Sequence, residues 1–594
     1  MYGIAQPSSK LTPRLGATRK RLVILSAMLA LALGTAAHAA SLPAGYEEPN
    51  PYLAQSYNNQ THWNHGGAIN SKIVVPRGNY EITPGSVQVI PNESVSLPIF
   101  SDKVNGKETF WWWAGYSLRK LDMQDGKLVE LARADIPVKL PNFAPITPDQ
   151  RREQAATAQK FLDAKDEKGL LDYMTSQPNR MASAAADQVA NGAVYAVLTR
   201  DDAFIGCNGR QVFRIDSANP KDASSALSVS RAVVLPPSLF DNDKAKHGTH
   251  FPIDMLFGLS MTYNGYIVAN TLGGKVITLN RDTLEVIDTY SVSGSDELFL
   301  NSFVTSPEAN GGAVYVASNT DMYRLVVDEN GKIHSDEASG AWKAAYERGI
   351  RMPPPKIADG TGATPSLMGF GPKEDKLVVI TDGAKHMSMV AFWRDKMPAG
   401  WKQKPGTLSA RIADQRLVDM GPGIDTVQSE QQVAVYGDYA FVVNNIAAEQ
   451  APPSIFSYYV NILLGATRPA GVGAATFAWQ QDTHTWKELW SRDDVTSTSI
   501  VPMISGGSHM AIIDGYFTKQ WNDRYHIGLD LDTGKTVMTI HTGTDPTFNG
   551  MYSPIKVDSQ GHIFYGMAFG LVRMDTTKMK RVDNSKDVQP LKHD

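Results

Sequence analysis

Short runs of alternating apolar and polar residues recur along the chain from about residue 90, and turn-forming residues separate them. Successive side chains of a β-strand point to opposite faces, so this alternation predicts strands joined as antiparallel hairpins. Weaker copies of the pattern begin near Glu93, Asp187 and Asn549. The clearest copies lie at 266–290, 314–326, 377–393, 439–479 and 510–532.

A unit of four strands that returns about every 45–70 residues is typical of propeller blades. The sequence therefore predicts an all-β fold, an eight-bladed β-propeller, with seven blades as the other count compatible with the weaker copies. A closed ring leaves few sheet edges exposed, which explains how so many strands can stay in solution.

Three segments interrupt the β pattern. Residues 146–186 are rich in helix formers after an N-cap and proline at Thr147 and Pro148, which predicts a helical insertion after the first blade. A shorter helix is expected at 341–348. Residues 446–472 form a lid-like insertion within a hairpin, for which we consider a hydrophobic plug, a cover over a ligand site, or a contact with a membrane interface.

Residues 1–40 resemble a secretory signal peptide, with basic residues, an apolar stretch over 22–33 and an Ala-His-Ala cleavage pattern at 37–39. The predicted boundaries are signal peptide 1–40, N-terminal extension 41–90, propeller 91–582 and tail 583–594. The apolar stretch is too short to span a bilayer, so no stable membrane anchor is expected. We expect a periplasmic protein, or a secreted one.

The amino-acid composition excludes several classes of partner and of site. The values of 42% hydrophobic and 20% charged residues are those of a globular protein. The first forty residues hold five of the 57 basic side chains and no acidic one, so the remainder has 52 basic against 61 acidic residues. This acidic balance argues against nucleic acid as a partner. The single cysteine, Cys207, excludes an intramolecular disulfide and a haem attachment motif.

Polar residues stand directly before each predicted innermost strand, where the loops of a propeller converge on its axis. They are Glu93, Asp187, Asp254, Asn301, Thr364, Glu430, Ser499 and Asn549. Carboxylate and amide oxygens are the ligands that Ca²⁺ prefers, and calcium is the expected cofactor. Its expected ligands are Glu430, Asn301, Asn549 and Asp254. A water-filled channel lined by ordinary turn residues would show the same set of polar residues at these positions, and it is the alternative to a metal site.

Two histidines are expected at the same face. His250 precedes an innermost strand and His386 follows a turn, and a neutral imidazole near a metal can act as a general base. Single histidines are more often ordinary packed or surface residues, which is the alternative for both. A second column of polar residues ends the next strand of each unit, and hairpin turns explain it: Asn208, Asn270, Asn319, Asp382, Asn444 and Asp514.

Three consecutive tryptophans occur at 111–113. Alternation directs Trp111 and Trp113 to one side of a strand and Trp112 to the other. Packing between blades is the expected role, and stacking on a sugar or aromatic ligand is the alternative.

The stretch 528–540 contains Asp530-Leu-Asp-Thr-Gly-Lys535 between two alternating runs, and it resembles the repeat of the quinoprotein-dehydrogenase-like (PQQ-like) propellers. The stretch 360–382 resembles an uncharacterised exported group of propellers. The resemblance implies the β-propeller fold of the PQQ-like proteins. The chain lacks the adjacent cysteine pair on which the quinone of those enzymes sits and has Met538 in place of the usual tryptophan, so neither PQQ nor haem is expected.

The sequence thus favours an exported propeller that acts on a small organic molecule at an axial, metal-bearing pocket, in a hydrolase-type reaction. One alternative is a non-catalytic scaffold or ligand-binding propeller, for which an envelope protein is the expected partner. A quinone-dependent oxidoreductase is the other alternative. Propellers host all three functions, so the fold alone does not choose between them.

Overall fold

A computed structural model describes residues 47–59, 67–93, 97–104, 107–137, 147–176, 195–249, 251, 253–352, 356–446, 469–497, 501–550, 553–566 and 569–582. The signal peptide, most of the insertion at 446–472 and the tail lie outside these ranges. Strands dominate the described part and form eight separate sheets, numbered here in chain order from the sheet that begins at Leu97.

Sheets 1 to 4 are built from consecutive antiparallel strands. Sheet 1 comprises Leu97–Val104, Lys107–Trp113, Ser117–Gln124 and Lys127–Asp135. Sheet 2 comprises Ala196–Leu198, Ala203–Asn208, Gln211–Ser217 and Leu227–Val234. Sheet 3 comprises Leu256–Met261, Ile267–Thr271, Lys275–Leu279 and Val286–Ser291. Sheet 4 comprises Val304–Ser306, Ala313–Ala317, Asp321–Val327, Ile333–His334 and Trp342–Ala345.

Sheets 5 and 6 follow the same plan, and sheets 7 and 8 add strands from distant parts of the chain. Sheet 5 comprises Ser366–Met368, Leu377–Thr381, Ser388–Trp393 and Ile412–Leu417. Sheet 6 comprises Ala434–Tyr436, Tyr439–Val443, Val472–Gln480 and Thr485–Thr496. Sheet 7 comprises Met503–Ser505, Met510–Gly515, Arg524–Asp530 and Thr536–Gly543, joined by Asn58–Asn59, Asn70–Ser71, Gly78–Glu81 and Lys580–Arg581. Sheet 8 comprises Lys556–Val557, Ile563–Gly566, Leu571–Met574 and Val87–Ile90.

Consecutive sheets pack on one another in chain order, and sheet 8 packs on sheet 1. At this last junction the rings of Phe110 and Phe564 are stacked with centroids 5.2 Å apart. The first strands of neighbouring sheets adjoin, so they line the centre of a propeller-like arrangement. We call the side where these first strands begin the start face, and the side where they end the end face.

The strand Val87–Ile90 completes the last sheet. It pairs antiparallel with Leu571–Met574, about 480 residues further along the chain. The carboxamide of Gln88 also accepts from the backbone N–H of Leu128 at 2.8 Å and donates to its carbonyl at 3.1 Å, which ties sheet 8 to sheet 1. The segment expected as an extension before residue 91 therefore contributes to the ring.

The rest of the N-terminal segment crosses the end face. The backbone N–H of Ala54 donates to Leu198 at the end of the first strand of sheet 2, and the amide of Asn50 donates to Met261 in sheet 3. Asn70–Ser71 then runs parallel to the first strand of sheet 7. The chain's own segment thus contacts the ends of first strands around the centre.

Within the described ranges, three helices interrupt the sheets. Helices α1 (Pro148–Asp163) and α2 (Glu167–Thr175) lie between sheets 1 and 2, and α3 (Asn242–Gly248) precedes sheet 3. Thr147 caps α1 in a capping box with Gln150, in agreement with the sequence pattern. Single 3₁₀ turns occur at Pro237–Leu239, Glu337–Ser339, Gly506–Ser508, Pro546–Phe548 and Thr576–Lys578. None of the helices among the described residues is long and apolar enough to cross a membrane.

The prediction of a helix at 341–348 is wrong. Residues Trp342–Ala345 form a strand that pairs with Asp321–Val327, with Trp342 opposite Arg324. The composition of this stretch is typical of helices, but Trp342 is buried against the ring of Phe392 in sheet 5. Tertiary packing therefore overrides the local propensity.

The tryptophans of 111–113 pack between sheets, as predicted. The ring of Trp113 meets Phe204 of sheet 2 edge to face at 5.6 Å, while Trp112 belongs to a cluster with Phe564 of sheet 8. All three indoles are buried. They fill the two interfaces on either side of sheet 1.

Asn58 offers a test of the N-terminal crossing. Its side chain donates to the carbonyl of Val557 and accepts from the N–H of Val557, both at 2.9 Å, so it bridges to the first strand of sheet 8. Replacement Asn58→Ala leaves two buried backbone groups unpaired and should lower the free energy of unfolding by about 2–3 kcal/mol in urea titrations. The exposed Asn330→Ala is the control. A loss equal to that of the control would contradict the bridging role.

The buried carboxyl of Glu47 should make the free energy of unfolding depend on pH. Burial raises the pKa of its carboxyl from 4.5 to about 7, although it accepts from the N–H of Gly67 at 2.6 Å. Its contribution to stability is therefore present below pH 4.5 and is lost as the pH rises through 7. Glu47→Gln should become more stable relative to wild type across this window, by about 3 kcal/mol at pH 8.

Denaturant titrations at several pH values measure this difference. Glu48→Gln changes an exposed neighbour and serves as the control. A Glu47→Gln difference that stays constant from pH 4 to pH 8 would show that the carboxyl does not titrate in this window.

Candidate functional site

Loops from four sheets meet at the centre of the start face. We call the residues that join there, Tyr195, Asn301, Lys356, Thr364 and Glu430, the axial cluster. The amide oxygen of Asn301 accepts from the hydroxyls of Tyr195 and Thr364, the latter at 3.0 Å. Each of these three residues stands shortly before the first strand of its sheet, so closure of the ring brings them together.

A buried ion pair forms the second half of the axial cluster. The ammonium of Lys356 lies 3.2 Å from Oε1 of Glu430, and the side chains are 1% and 3% exposed. Lys356 also donates to the carbonyls of Gly360 and Thr361, and Glu430 accepts from the N–H of Ile357. Burial raises the pKa of Glu430, while the positive charge of Lys356 opposes that shift.

Gly362 joins the two halves. Its carbonyl accepts from the amide of Asn301 at 2.7 Å, and a Cβ at this position would lie 2.3 Å from Oε1 of Glu430. Its φ of +65° is also one that side chains rarely adopt. Only glycine therefore allows the loop to pass between Asn301 and Glu430.

The expected metal ligands do not all enter this cluster. Asn301 and Glu430 come together, and their oxygens already accept hydrogen bonds or face Lys356. Asp254 instead accepts from the N–H groups of Asp241 and Gly273 at 2.7 and 2.8 Å, which holds the start of α3 against a turn of sheet 3. Asn549 is buried at the end of the turn Pro546–Phe548.

The histidines expected at this face have separate surroundings. His386 is half-buried, and its Nε2 lies 2.8 Å from the carbonyl oxygen of Asp425. His250, Asp187 and Ser499 lie outside the described residues. Nowhere in the part of the chain that the structure describes do three or more His, Cys, Asp or Glu side chains gather as a metal site.

The polar residues that end the second strands hold the loops of the start face. Asp382 accepts from Ala384 and Ser388 within its own hairpin, as expected from turn chemistry. Hairpin turns do not explain four others, whose side chains bond to the backbone of a loop that leads into a first strand. These pairs are Asn270 with Asn301, Asn319 with Leu298, Asn444 with Gln428, and Asp514 with Gly550.

A charged cavity of about 460 Å³ is connected to the axial cluster through Gly360, which lies against Asn319 of the cavity lining and accepts a hydrogen bond from Lys356. It lies between α3 and the loop that leads to Lys356, and four carboxylates line it together with Lys244, Arg348 and Arg351. Arg348 bridges Asp296 at 2.8 Å and Asp359. Burial lowers the pKa of Lys244. We call this space the start-face cavity.

Sequence reasoning missed Tyr195 and Lys356. Asp187 was assigned as the polar residue before the first strand of sheet 2, but that strand begins at Ala196. The short apolar run Tyr195-Ala-Val-Leu198 was the available signal. Lys356 stands several residues before the next first strand and belongs to no repeated pattern, so nothing in the sequence marks it as the partner of Glu430.

No family model matches the chain. An uncharacterised protein of Archaeoglobus fulgidus is 27% identical over 324 residues, which are 54% of this chain and 60% of that protein. The match thus spans less than two thirds of the relative.

Several solved structures are similar at low identity. BamB from Moraxella catarrhalis is 14% identical with a TM-score of 0.31, and the match covers 64% of this chain and 98% of BamB. The C-terminal WD40 domain of Sif2 is 9% identical with a TM-score of 0.39, covering 85% and 97% of the two chains. The β-propeller domain of Cps50 (Swd1) from Myceliophteria thermophila is 9% identical with a TM-score of 0.34, covering 63% and 93%.

The ion pair of the axial cluster can be tested by a double-mutant cycle. Glu430→Gln and Lys356→Met each remove one buried charge and strand the other, so each should cost about 3–5 kcal/mol of unfolding free energy. The double variant should cost clearly less than the sum of both, because no charge is left unpaired. Urea titrations give the four free energies. Additive losses would mean that the two charges do not interact.

Proposed function

We propose that this protein is a ligand-binding propeller that holds a small zwitterionic or amine-bearing molecule in the start-face cavity. The observation that carries the proposal is the cavity itself, about 460 Å³ and lined by charged side chains beside a buried polar cluster. This volume lies within the range of about 300–1,000 Å³ usual for small-molecule sites.

The charges in the cavity indicate the ligand chemistry. Asp296 and Asp359 share Arg348, whereas Asp241 and Asp243 have no ion-pair partner within 4 Å among the described residues. These two carboxylates would attract an ammonium group. Lys244, on the same helix, and Arg351, which donates to the carbonyls of His247 and Thr249, offer cations to a carboxylate. A ligand with both groups complements the two sets.

We further propose that the eight sheets are the blades of one eight-bladed ring of the PQQ-like type, with α1 and α2 as an insertion after the first blade. The order of packing and the pairing of Val87–Ile90 with Leu571–Met574 support this count. The signal-like residues 1–40 support export to the periplasm, where an envelope protein would be the partner of a scaffold.

A hydrolase-type reaction at the axial cluster is the second candidate. Glu430, Lys356 and Tyr195 combine a carboxyl whose pKa is raised by burial, an amine and a phenol, and such groups serve in acid–base chemistry. Calcium at Glu430 and Asn301 stays a prediction and would have to displace Lys356. Turnover of an ester or lactone that Glu430→Gln abolishes, while circular dichroism shows the variant still folded, would favour this candidate.

Thermal unfolding with a panel of amino acids, betaine and polyamines tests the binding function. A ligand present at a hundredfold excess over its Kd should stabilise the protein by about 2.7 kcal/mol. Asp243→Asn should weaken that stabilisation, because it removes an exposed carboxylate that lines the cavity. Asp172→Asn on α2 is the matched control and should behave as wild type.

The proposal fails if no member of the panel shifts the melting temperature of wild type. It also fails if Asp243→Asn and Asp172→Asn reduce a shift equally, because the ligand would then bind elsewhere.

A further inference from the structure

A second cavity lies on another part of the start face. Its volume is about 530 Å³, and it is bounded by α1, by residues 544–547 after sheet 7, and by the hairpin of sheet 8 that holds Phe569. Gln159 of α1 reaches Thr544 across it, at 3.4 Å. We call this space the α1 cavity. It shares no lining residue with the start-face cavity.

Arg151 gives the α1 cavity a buried positive charge. The residue is 1% exposed, and its guanidinium donates to the carbonyl of Asn92 and, at 3.1 Å, to the side-chain oxygen of Gln154. Both acceptors are neutral. Among the described residues, no carboxylate lies within 4 Å of this guanidinium, whereas most other buried cations of the chain have such a partner.

The nearest acidic influence on Arg151 is Glu93, and that carboxylate is already engaged. It pairs with Arg119 at 2.6 Å and with Arg133 at 3.1 Å, and it accepts from the hydroxyl of Ser117. Burial lowers the pKa of Arg151 to about 9, so the guanidinium is still charged at neutral pH. A buried cation without a counter-charge is costly, and an anion from outside would offset that cost.

The other walls of the α1 cavity are largely apolar. Val89, Pro91, Ala155 and Phe569 line it, and Phe569 is buried. Arg152 adds a second cation that already pairs with Asp149. The one acid of the lining, Asp545, is exposed and accepts from the N–H of Thr547. The cavity therefore combines one uncompensated cation with a surface suited to hydrocarbon.

We propose that the α1 cavity binds a small organic carboxylate, with its anionic group on Arg151 and its apolar body against Val89 and Phe569. A guanidinium matches the two oxygens of a carboxylate. The apolar body would cover Val89, which is exposed to water, and would pack beside the buried ring of Phe569. This site is independent of the ligand proposed for the start-face cavity.

Calorimetric titration of the full protein with benzoate and octanoate tests the site, with benzamide as the neutral analogue and inorganic phosphate as a bare anion. Wild type should bind both carboxylates and should bind benzamide at least about tenfold more weakly. Arg151→Met should weaken carboxylate binding by about tenfold or more. The exposed Arg416→Met, on the outer strand of sheet 5, should leave it unchanged.

Ala155→Trp keeps Arg151 and fills the cavity, so it should abolish binding even if Arg151→Met does not fold. Binding of benzamide as tight as benzoate would overturn the role of Arg151. Phosphate binding as tight as octanoate would overturn the apolar half of the site. Absence of carboxylate binding in wild type, or binding that Ala155→Trp leaves intact, would overturn the site altogether.

Discussion

The pairing of Val87–Ile90 with Leu571–Met574 is the contact on which the ring depends. Each of sheets 1 to 7 has at least four strands that follow one another in the chain, but sheet 8 has three and needs a fourth from the opposite end of the chain. Without it the faces of sheets 8 and 1, which carry Phe564, Phe110 and Trp112, would lose their mutual cover. A long loop costs little more to close than a short one, because the entropic cost grows only with the logarithm of its length.

Buried ion pairs join neighbouring sheets inside this ring. Lys120 of sheet 1 is fully buried and lies 2.5 Å from Asp202 of sheet 2, and Arg394 of sheet 5 lies 3.1 Å from Glu308 of sheet 4. Desolvation offsets much of the attraction of such pairs, so they add little net stability. A shift between sheets would strand a charge, however, so each pair penalises alternative packings. Apolar contacts alone would distinguish less well between the correct packing of the sheets and a shifted one, since the apolar faces of many sheets are similar.

Sequence alternation could predict the strands because each sheet is built mostly from consecutive strands. The predicted copy at 266–290, for example, matches the strands Ile267–Thr271, Lys275–Leu279 and Val286–Ser291 of sheet 3. What depends on distant partners could not be predicted. Trp342–Ala345 has helical composition and is a strand only because it pairs with sheet 4. Likewise nothing local shows that Asn58 or Val87–Ile90 would join sheets 7 and 8.

The residues of the candidate site also divide into those that the sequence could predict and those that it could not. Asn301 and Glu430 could be found because a repeated position, the residues before a first strand, converges at the axis. Lys356 could not, since the ion pair that it forms depends on the path of one irregular loop. The same limit applies to Arg151, which a helical pattern marks only as a residue of the first turn of α1.

The two faces of the ring differ in the segments that cover them. The end face is crossed by the N-terminal segment, which bonds to sheets 2, 3 and 8 through Ala54, Asn50 and Asn58. The start face carries α1, α3 and the lead-in loops, and side chains such as Asn319 and Asn444 fix those loops to the second strands. Loops held in this manner can vary in sequence without disturbing the sheets. Both cavities open among such loops, so most of the side chains that line them stand in segments that the repeated β pattern leaves unconstrained.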